Sequence, residues 1–274
     1  MSEPLLPLLV EADVLQRHLG NPSLLIVDMG KPETYARGHV PGAVYLDYSD
    51  IVRTQMPLAG LLPDEARLSA VLSGIGLRSD SHVVAYDEEG GGKAARLLWT
   101  LESIGHTRYS LLNGGLHVWF NEGHPLEQAP HKPQPSDYQA HYNADCMAVA
   151  RRQFILDHLN DEKLALLDAR SAEEFSGKKR YSARGGHIPG AIHIEWTELM
   201  DPSHNLRLKG IAELRNLLEE KSITPDKTVV AYCQTHHRSA HTWFVLKYLG
   251  YRHAKGYEGS WSDWGNQPDT PIEK

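Results

Sequence analysis

Cys233 opens the run Cys233-Gln234-Thr235-His236-His237-Arg238-Ser239, the stretch of the chain richest in groups that could do chemistry together. A free thiol titrates near 8.5. Beside cations or a helix N-terminus its pKa falls to roughly 3.5–7.5, which makes it a nucleophile at neutral pH. Arg238, with His236 or His237, adds positive charge for an anionic substrate. Loss of Arg238 is accordingly expected to weaken substrate use far more than folding. The competing reading is that Cys233 is a small buried packing residue. Cys146 is the other cysteine; it lies at the edge of a proline-rich stretch without basic neighbours and is expected to be inert.

The neighbouring residues indicate what holds Cys233. TVVAY at 228–232 reads as a buried strand, and from Ser239 onward Ala240, Trp243, Phe244 and Leu246 recur at helical spacing. Cys233 is therefore expected at the carboxyl end of a strand just before a helix, where ligands bind in open α/β sheets. Successive backbone N–H groups in such a loop, with the helix N-terminus behind them, form a cradle for an anion.

The chain repeats itself. GHVPGAVYLD at 38–47 returns as GHIPGAIHIE at 186–195, VVAYD at 83–87 returns as VVAYC at 229–233, and Trp119 answers to Trp264 in a third matched stretch. A period of about 146 residues, the offset from Asp87 to Cys233, is too long for a solenoid unit, so each copy should be a domain with its own core. LLIVD at 24–28, HVVAY at 82–86, LALLD at 164–168 and TVVAY alternate with helix-like stretches such as GKAARLLWTLESIG. That alternation predicts an α/β fold of two tandem domains, each a mainly parallel sheet with helices on both faces. The expected boundaries are 1–128, a linker at 129–146 carrying three prolines, and 147–274. At the position of Cys233 the first copy has Asp87. The position thus reads as a loop base specialised in one domain only.

Composition narrows the partners. Of 274 residues, 28 are Lys or Arg and 35 Asp or Glu, a formal charge of -7 that disfavours general nucleic-acid binding, so any anion must be held locally. Two cysteines are too few for a disulfide scaffold, the N-terminus lacks a basic leader, and no apolar run reaches about 18 residues. A cytoplasmic protein with reduced thiols and no membrane partner is expected.

Other tempting residues read as structural. His39 and His187 lie in a motif that both copies keep, including the copy without a thiol, and Gly and Pro there punctuate a turn. Asp28, Asp168 and Arg170 read as a scaffold ion pair or hydrogen-bonding group, and Trp196 as core packing. Lys178, Lys179, Arg180 and Arg184 form a basic patch whose simplest reading is a solvated loop. The histidine content raises the question of a metal, but the adjacent pair His236-His237 is poorly placed to ligate one ion, and none is assigned.

Asp168-x-Arg170, Gly186 to Ala191 and the VVAYC strand end, in two tandem copies, resemble the two-domain rhodanese family of thiosulfate sulfurtransferases over nearly the whole chain, and the CQTHHRS loop is similar to that of the bacterial form. The resemblance implies a catalytic C-terminal domain, an inactive N-terminal one, and a persulfide on Cys233. Sulfur would come from a small anionic donor such as thiosulfate, held by residues 234–239 (Gln234, Thr235, His236, His237, Arg238, Ser239), and pass to cyanide or a thiol, with no metal or organic cofactor. The loop differs from the vertebrate C-R-K-G-V-T and from the C-G-S-G-V-T of mercaptopyruvate enzymes, and Glu174 stands where many members have arginine. A donor such as 3-mercaptopyruvate is therefore an alternative. Cysteine phosphatases and arsenate reductases are a further rival, although they use C-x5-R where this chain has C-x4-R. A non-catalytic binding module suits the first copy, with Asp87, better than the second.

Overall fold

The computed structural model describes residues 4–143 and 146–274. The first repeat folds, in chain order, as β1 (Leu9–Val10), α1 (Ala12–Gln16), β2 (Leu24–Asp28), α2 (Pro32–Arg37), β3 (Val44–Tyr45), the hairpin β4 (Arg53–Gln55) and β5 (Leu58–Leu61), α3 (Glu65–Gly74), β6 (His82–Tyr86), α4 (Gly92–Ser103), β7 (Tyr109–Leu112) and α5 (Gly115–Asn121). The second repeat gives β8 (Val149–Ala150), α6 (Arg152–His158), β9 (Leu164–Asp168), α7 (Ala172–Phe175), β10 (Ile192–His193), the hairpin β11 (Met200–Asp201) and β12 (Arg207–Leu208), α8 (Ile211–Glu220), β13 (Thr228–Tyr232), α9 (Arg238–Tyr248), β14 (Ala254–Tyr257) and α10 (Ser260–Trp264). The four apolar runs singled out in the sequence are β2, β6, β9 and β13, residue for residue.

Two compact units result. Unit 1 comprises Met1–Ile51, Pro63–Cys146 and Met200–Leu208, and unit 2 comprises Val52–Leu62, Met147–Leu199 and Lys209–Lys274. Each unit thus includes a hairpin from the other repeat's stretch of chain, β11–β12 in unit 1 and β4–β5 in unit 2. Nothing in the repeat pattern announces this exchange. The stretch 130–143 carries no helix or strand. It is tied to α3 and the residues before it through Ser136 N to Ser73 O at 2.9 Å, Ala140 N to Ser69 Oγ at 2.9 Å and Tyr142 Oη to Pro63 O at 2.7 Å.

Each unit is built on a five-stranded, wholly parallel sheet, in the order β1-β7-β6-β2-β3 in unit 1 and β8-β14-β13-β9-β10 in unit 2. All five residues of β6 are buried. Since successive side chains point to opposite faces, both faces of the sheet are covered. The core of each unit contains the matched tryptophan, Trp119 in one and Trp264 in the other. Their indole N–H groups donate to equivalent carbonyls, those of Pro125 at 2.7 Å and Pro271 at 2.8 Å. The register pairs Asp28 with Tyr86 and Asp168 with Tyr232. It thereby sets each Asp beside the strand end from which a loop departs, Asp87 in unit 1 and Cys233 in unit 2.

Candidate active site

β13 ends at Tyr232 and α9 begins at Arg238, so the loop is residues 233–237, as short as the spacing of motifs requires. Its base is held by α10: the N–H of Trp261 donates to Cys233 O and that of Ser262 to Gln234 O, each at 2.9 Å. The Cys233 N–H donates to Ser260 Oγ at 3.4 Å. His236 takes a left-handed φ of 53°, which turns the loop back on itself. Its side chain is fully buried, with Nδ1 2.8 Å from Ser239 Oγ. Gln234 donates from Nε2 to Ser182 Oγ at 3.1 Å.

Cys233 is 1% exposed. Burial pushes its thiol pKa up, but the Arg238 guanidinium, the Ser239 hydroxyl and the backbone N–H groups of Ser239 and Thr235 outweigh it, and the thiol titrates below its ordinary value. The loop N–H groups, the Ser239 hydroxyl and Arg238 thus all shift the thiol towards its thiolate form, against burial.

Arg238 does not reach out as a lone cation. Glu174 grips it with both oxygens, at 2.6 and 2.9 Å. Burial raises the Glu174 carboxyl, but the guanidinium overrides this and holds it below the usual range. Removing Arg238 therefore bears on folding as well as on substrate use. The change would strand a carboxylate whose side chain is only 4% exposed. Glu174 also closes a capping box with Ser171 on α7. The S-x-x-E spacing that signals the cap was the available clue to where this carboxylate is fixed.

Asp168 and Arg170 form the expected scaffold pair. The Arg170 guanidinium bonds both Asp168 oxygens, at 2.6 to 3.1 Å, donates to Gly186 O at 2.7 Å, and lies 4.4 Å over the Trp261 ring. The repeated GHxPG motifs are structural too. His39 stacks on Tyr35 at 3.8 Å and His187 on Phe175 at 3.7 Å, while Tyr86 and Tyr232 hydroxyls accept from the N–H groups of Val40 and Ile188. In the basic patch, Arg184 turns inward to the carbonyls of Thr270 at 2.8 Å and Trp264 at 3.1 Å, whereas Lys179 and Arg180 are exposed.

Trp196 departs from the expectation of core packing. It is half-buried, with its ring 6.1 Å from that of His237 and 5.6 Å from that of His241. Its partners explain the miss: they follow it by more than forty residues in the sequence. His237 and His241 stand four apart, a spacing the sequence reading passed over; among the described residues no group of three or more His, Cys, Asp or Glu is arranged to hold a metal ion. Also among the described residues, no helix is long and apolar enough to cross a membrane. Cys146 is half-buried, with Sγ 3.5 Å from Glu102 O.

The loop after β6 is the counterpart, residues 87–91, again five long before α4. Its base is pinned in the same way, Leu116 N donating to Asp87 O at 2.9 Å. The Asp87 carboxylate fills the cradle itself: Oδ1 accepts from the N–H groups of Glu89 at 2.9 Å and Gly91 at 2.8 Å, and Oδ2 from Ala94 at 3.0 Å.

Comparison with known proteins agrees with this construction. The rhodanese-like domain matches twice, over residues 11–122 and 152–267. The chain is 44% identical over 268 residues to proteins named thiosulfate sulfurtransferase from Azotobacter vinelandii and Pseudomonas aeruginosa, covering 98% of this chain and 97% of each relative. It is 30% identical to the 3-mercaptopyruvate sulfurtransferase of Escherichia coli K12, over 96% of this chain and 97% of that one. Among solved structures, YnjE superposes with a TM-score of 0.87 at 22% identity, covering 97% of this chain and 68% of that one, which shows a shared fold. With two matched domains on a repeated sheet and a cysteine at the strand end of the second, the chain belongs to the rhodanese-like family.

Proposed function

We propose that the chain is a thiosulfate sulfurtransferase working by double displacement through Cys233. The observation that carries the reading is the buried Cys233 thiol at the strand end, its pKa drawn below the ordinary value by loop N–H groups and Arg238, in a chain 44% identical over nearly its whole length to relatives bearing that name. The thiolate attacks the outer sulfur of thiosulfate; the S–S bond breaks, sulfite leaves with its electron pair, and Cys233 is left as a persulfide anion. Cyanide or a thiolate then takes the outer sulfur and regenerates the Cys233 thiolate. Charge and electrons balance in both halves, so no oxidant enters.

The N–H groups of Thr235 and Ser239 face the reacting sulfur, and Arg238, held by Glu174, offsets the incoming negative charge. His237, at the loop's end against Trp196, meets substrate. Gln234 and His236 keep the loop's shape through Ser182 and Ser239. Intact-protein mass is the test: one sulfur atom should be gained with thiosulfate and lost with cyanide, and a Cys233→Ala variant that still cycles would overturn the assignment. Running 3-mercaptopyruvate beside thiosulfate separates the two donors named among the relatives.

A further inference from the structure

The segment that presses on the Cys233 loop from outside the second repeat is the hairpin β4–β5. Gly60 has a φ of +79°, and a Cβ built there would fall 2.1 Å from Thr235 O and 2.9 Å from Thr235 C. Both are backbone atoms that no rotamer change can move aside. Next to it, Ala59 is tied in both directions to one side chain: its N–H donates to Ser262 Oγ at 3.1 Å, and Ser262 Oγ lies 3.1 Å from Ala59 O. Ser262 in turn donates its own N–H to Gln234 O. The hairpin therefore meets the loop twice, at Thr235 by contact and at Gln234 through Ser262.

We propose that Gly60 is a positioning residue for Cys233: lacking a side chain, it lets the β4–β5 hairpin bear on the Thr235 carbonyl and fix the loop whose N–H groups surround the sulfur. The Thr235 carbonyl belongs to the peptide that enters the left-handed His236. A shift there rotates the turn and withdraws the Thr235 N–H from the thiolate. The proposal rests on the sulfurtransferase reading for its consequence in turnover, but not for its first readout, which is the ionisation of the thiol.

The experiment titrates Cys233 by the ultraviolet absorbance of its thiolate, in the full chain with Cys146→Ser so that one thiol reports. Gly60→Ala should move the midpoint up by on the order of one pH unit, tenfold in the ionisation constant. Measured at a pH below the wild-type midpoint, where the thiolate fraction falls with the ionisation constant, the first-half rate with thiosulfate should drop on the order of threefold, the gain in intrinsic nucleophilicity offsetting part of the lost thiolate. Because alanine at positive φ is strained anywhere, Gly20→Ala is the matched control: Gly20 has the same φ of +79° with nothing within 4 Å, and its midpoint should stay at the wild-type value. Ser262→Ala removes the second tie without backbone strain and should shift the midpoint in the same direction by less. A folded Gly60→Ala with the wild-type midpoint overturns the proposal. Should that variant not fold, Ser262→Ala decides, and an unmoved midpoint there overturns it equally. A wild-type protein that titrates low yet gains no sulfur would instead refute the function and leave the positioning intact.

Discussion

The loops at 87–91 and 233–237 are one backbone device used twice. Both are five residues long between a strand and a helix; both are pinned at the base by an N–H from the helix that follows the next strand, Leu116 to Asp87 O and Trp261 to Cys233 O. What differs is the side chain at the base and the charges around it. Asp87 satisfies its own cradle with three N–H groups. Around Cys233 stand Arg238, and behind it Glu174 and Arg170; the aligned positions in unit 1 are Gly92, Thr34 and Gly30. The pKa directions follow these charges. Burial and the neighbouring Glu89 raise Asp87 despite its hydrogen bonds, whereas Arg238 and the N–H groups bring Cys233 down against burial. An anion cradle is reactive only when its occupant is a nucleophile and a cation is built beside it.

The sharpest way to break that comparison is to exchange the bases. Cys233→Asp should fold, its carboxylate taking the loop N–H groups as Asp87 does, and should gain no mass from thiosulfate. The converse, Asp87→Cys in a Cys233→Ala background, should also stay unmodified, because unit 1 has glycine at position 92 where unit 2 has Arg238. Mass gain in that double variant at the wild-type rate would show that the cation is dispensable and the comparison wrong.

The second test uses the aspartates one strand over. Asp168 has Arg170; Asp28 has Gly30 two residues on. Burial, opposed by hydrogen bonds from Tyr86 and Gly30 and reinforced by Glu88 and Asp87, pushes Asp28 up to about 6. A folded-state pKa above the unfolded value means that folding favours the protonated acid. Its contribution is complete below the ordinary value near 3.8 and is lost as pH rises through about 6. The difference corresponds to about 3 kcal/mol. Asp28→Asn should therefore stabilise unit 1 by up to about that amount at pH ~8 and by next to nothing at pH ~3, below the ordinary value, read from denaturant melts at the two pH values. An equal gain at both would assign the effect to packing.

These contrasts also mark what the sequence disclosed. The four central strands were legible to the residue because a parallel strand buried on both faces must be a short unbroken apolar run, and the loop base at Cys233 was legible as a candidate because Asp and Cys alternate there between copies. Glu174 was visible only as a departure from a pattern; its partner lies 64 residues away, and spacing along a chain says nothing about a pair made in space. For the same reason Trp196 read as core, and the exchange of hairpins at 52–62 and 200–208 was invisible. Gly60 has no local reason to be glycine beyond a turn; the reason is Thr235.

A smaller effect tests the cation alone. Arg238→Ala removes the guanidinium charge that offsets the incoming dianion, an effect on the order of 1.5–3 kcal/mol, or roughly 10- to 150-fold in kcat/KM for thiosulfate. It also leaves Glu174 buried without its guanidinium. Adding Glu174→Gln should recover much of the lost thermal stability while kcat/KM stays low. If the pair of changes restored turnover as well, Arg238 would serve the fold and not the substrate, and the difference between the two loops would rest on the thiol alone.

The smallest expected effect is none at all, and it bears on the size of the cradle. Unit 1 shows what a five-residue loop can satisfy: a carboxylate, two oxygens served by three N–H groups. A persulfide places one further atom at the loop centre. A phosphorylated cysteine would place a phosphorus with three oxygens there, each requiring donors in the transition state, and the C-x5-R loops of cysteine phosphatases have one residue, and so one N–H, more. Here Arg238 is already the first residue of α9 and is committed to Glu174, so it cannot swing in as an additional donor without breaking a buried ion pair. Wild-type protein should accordingly hydrolyse aryl phosphates no faster than Cys233→Ser does. Inserting one glycine between Gln234 and Arg238 should depress sulfur transfer, since it displaces the Thr235 and Ser239 N–H groups from the thiolate. Cys233-dependent phosphate hydrolysis by the wild type, at a rate comparable to sulfur transfer, would mean that the cradle opens wider than its sister loop indicates.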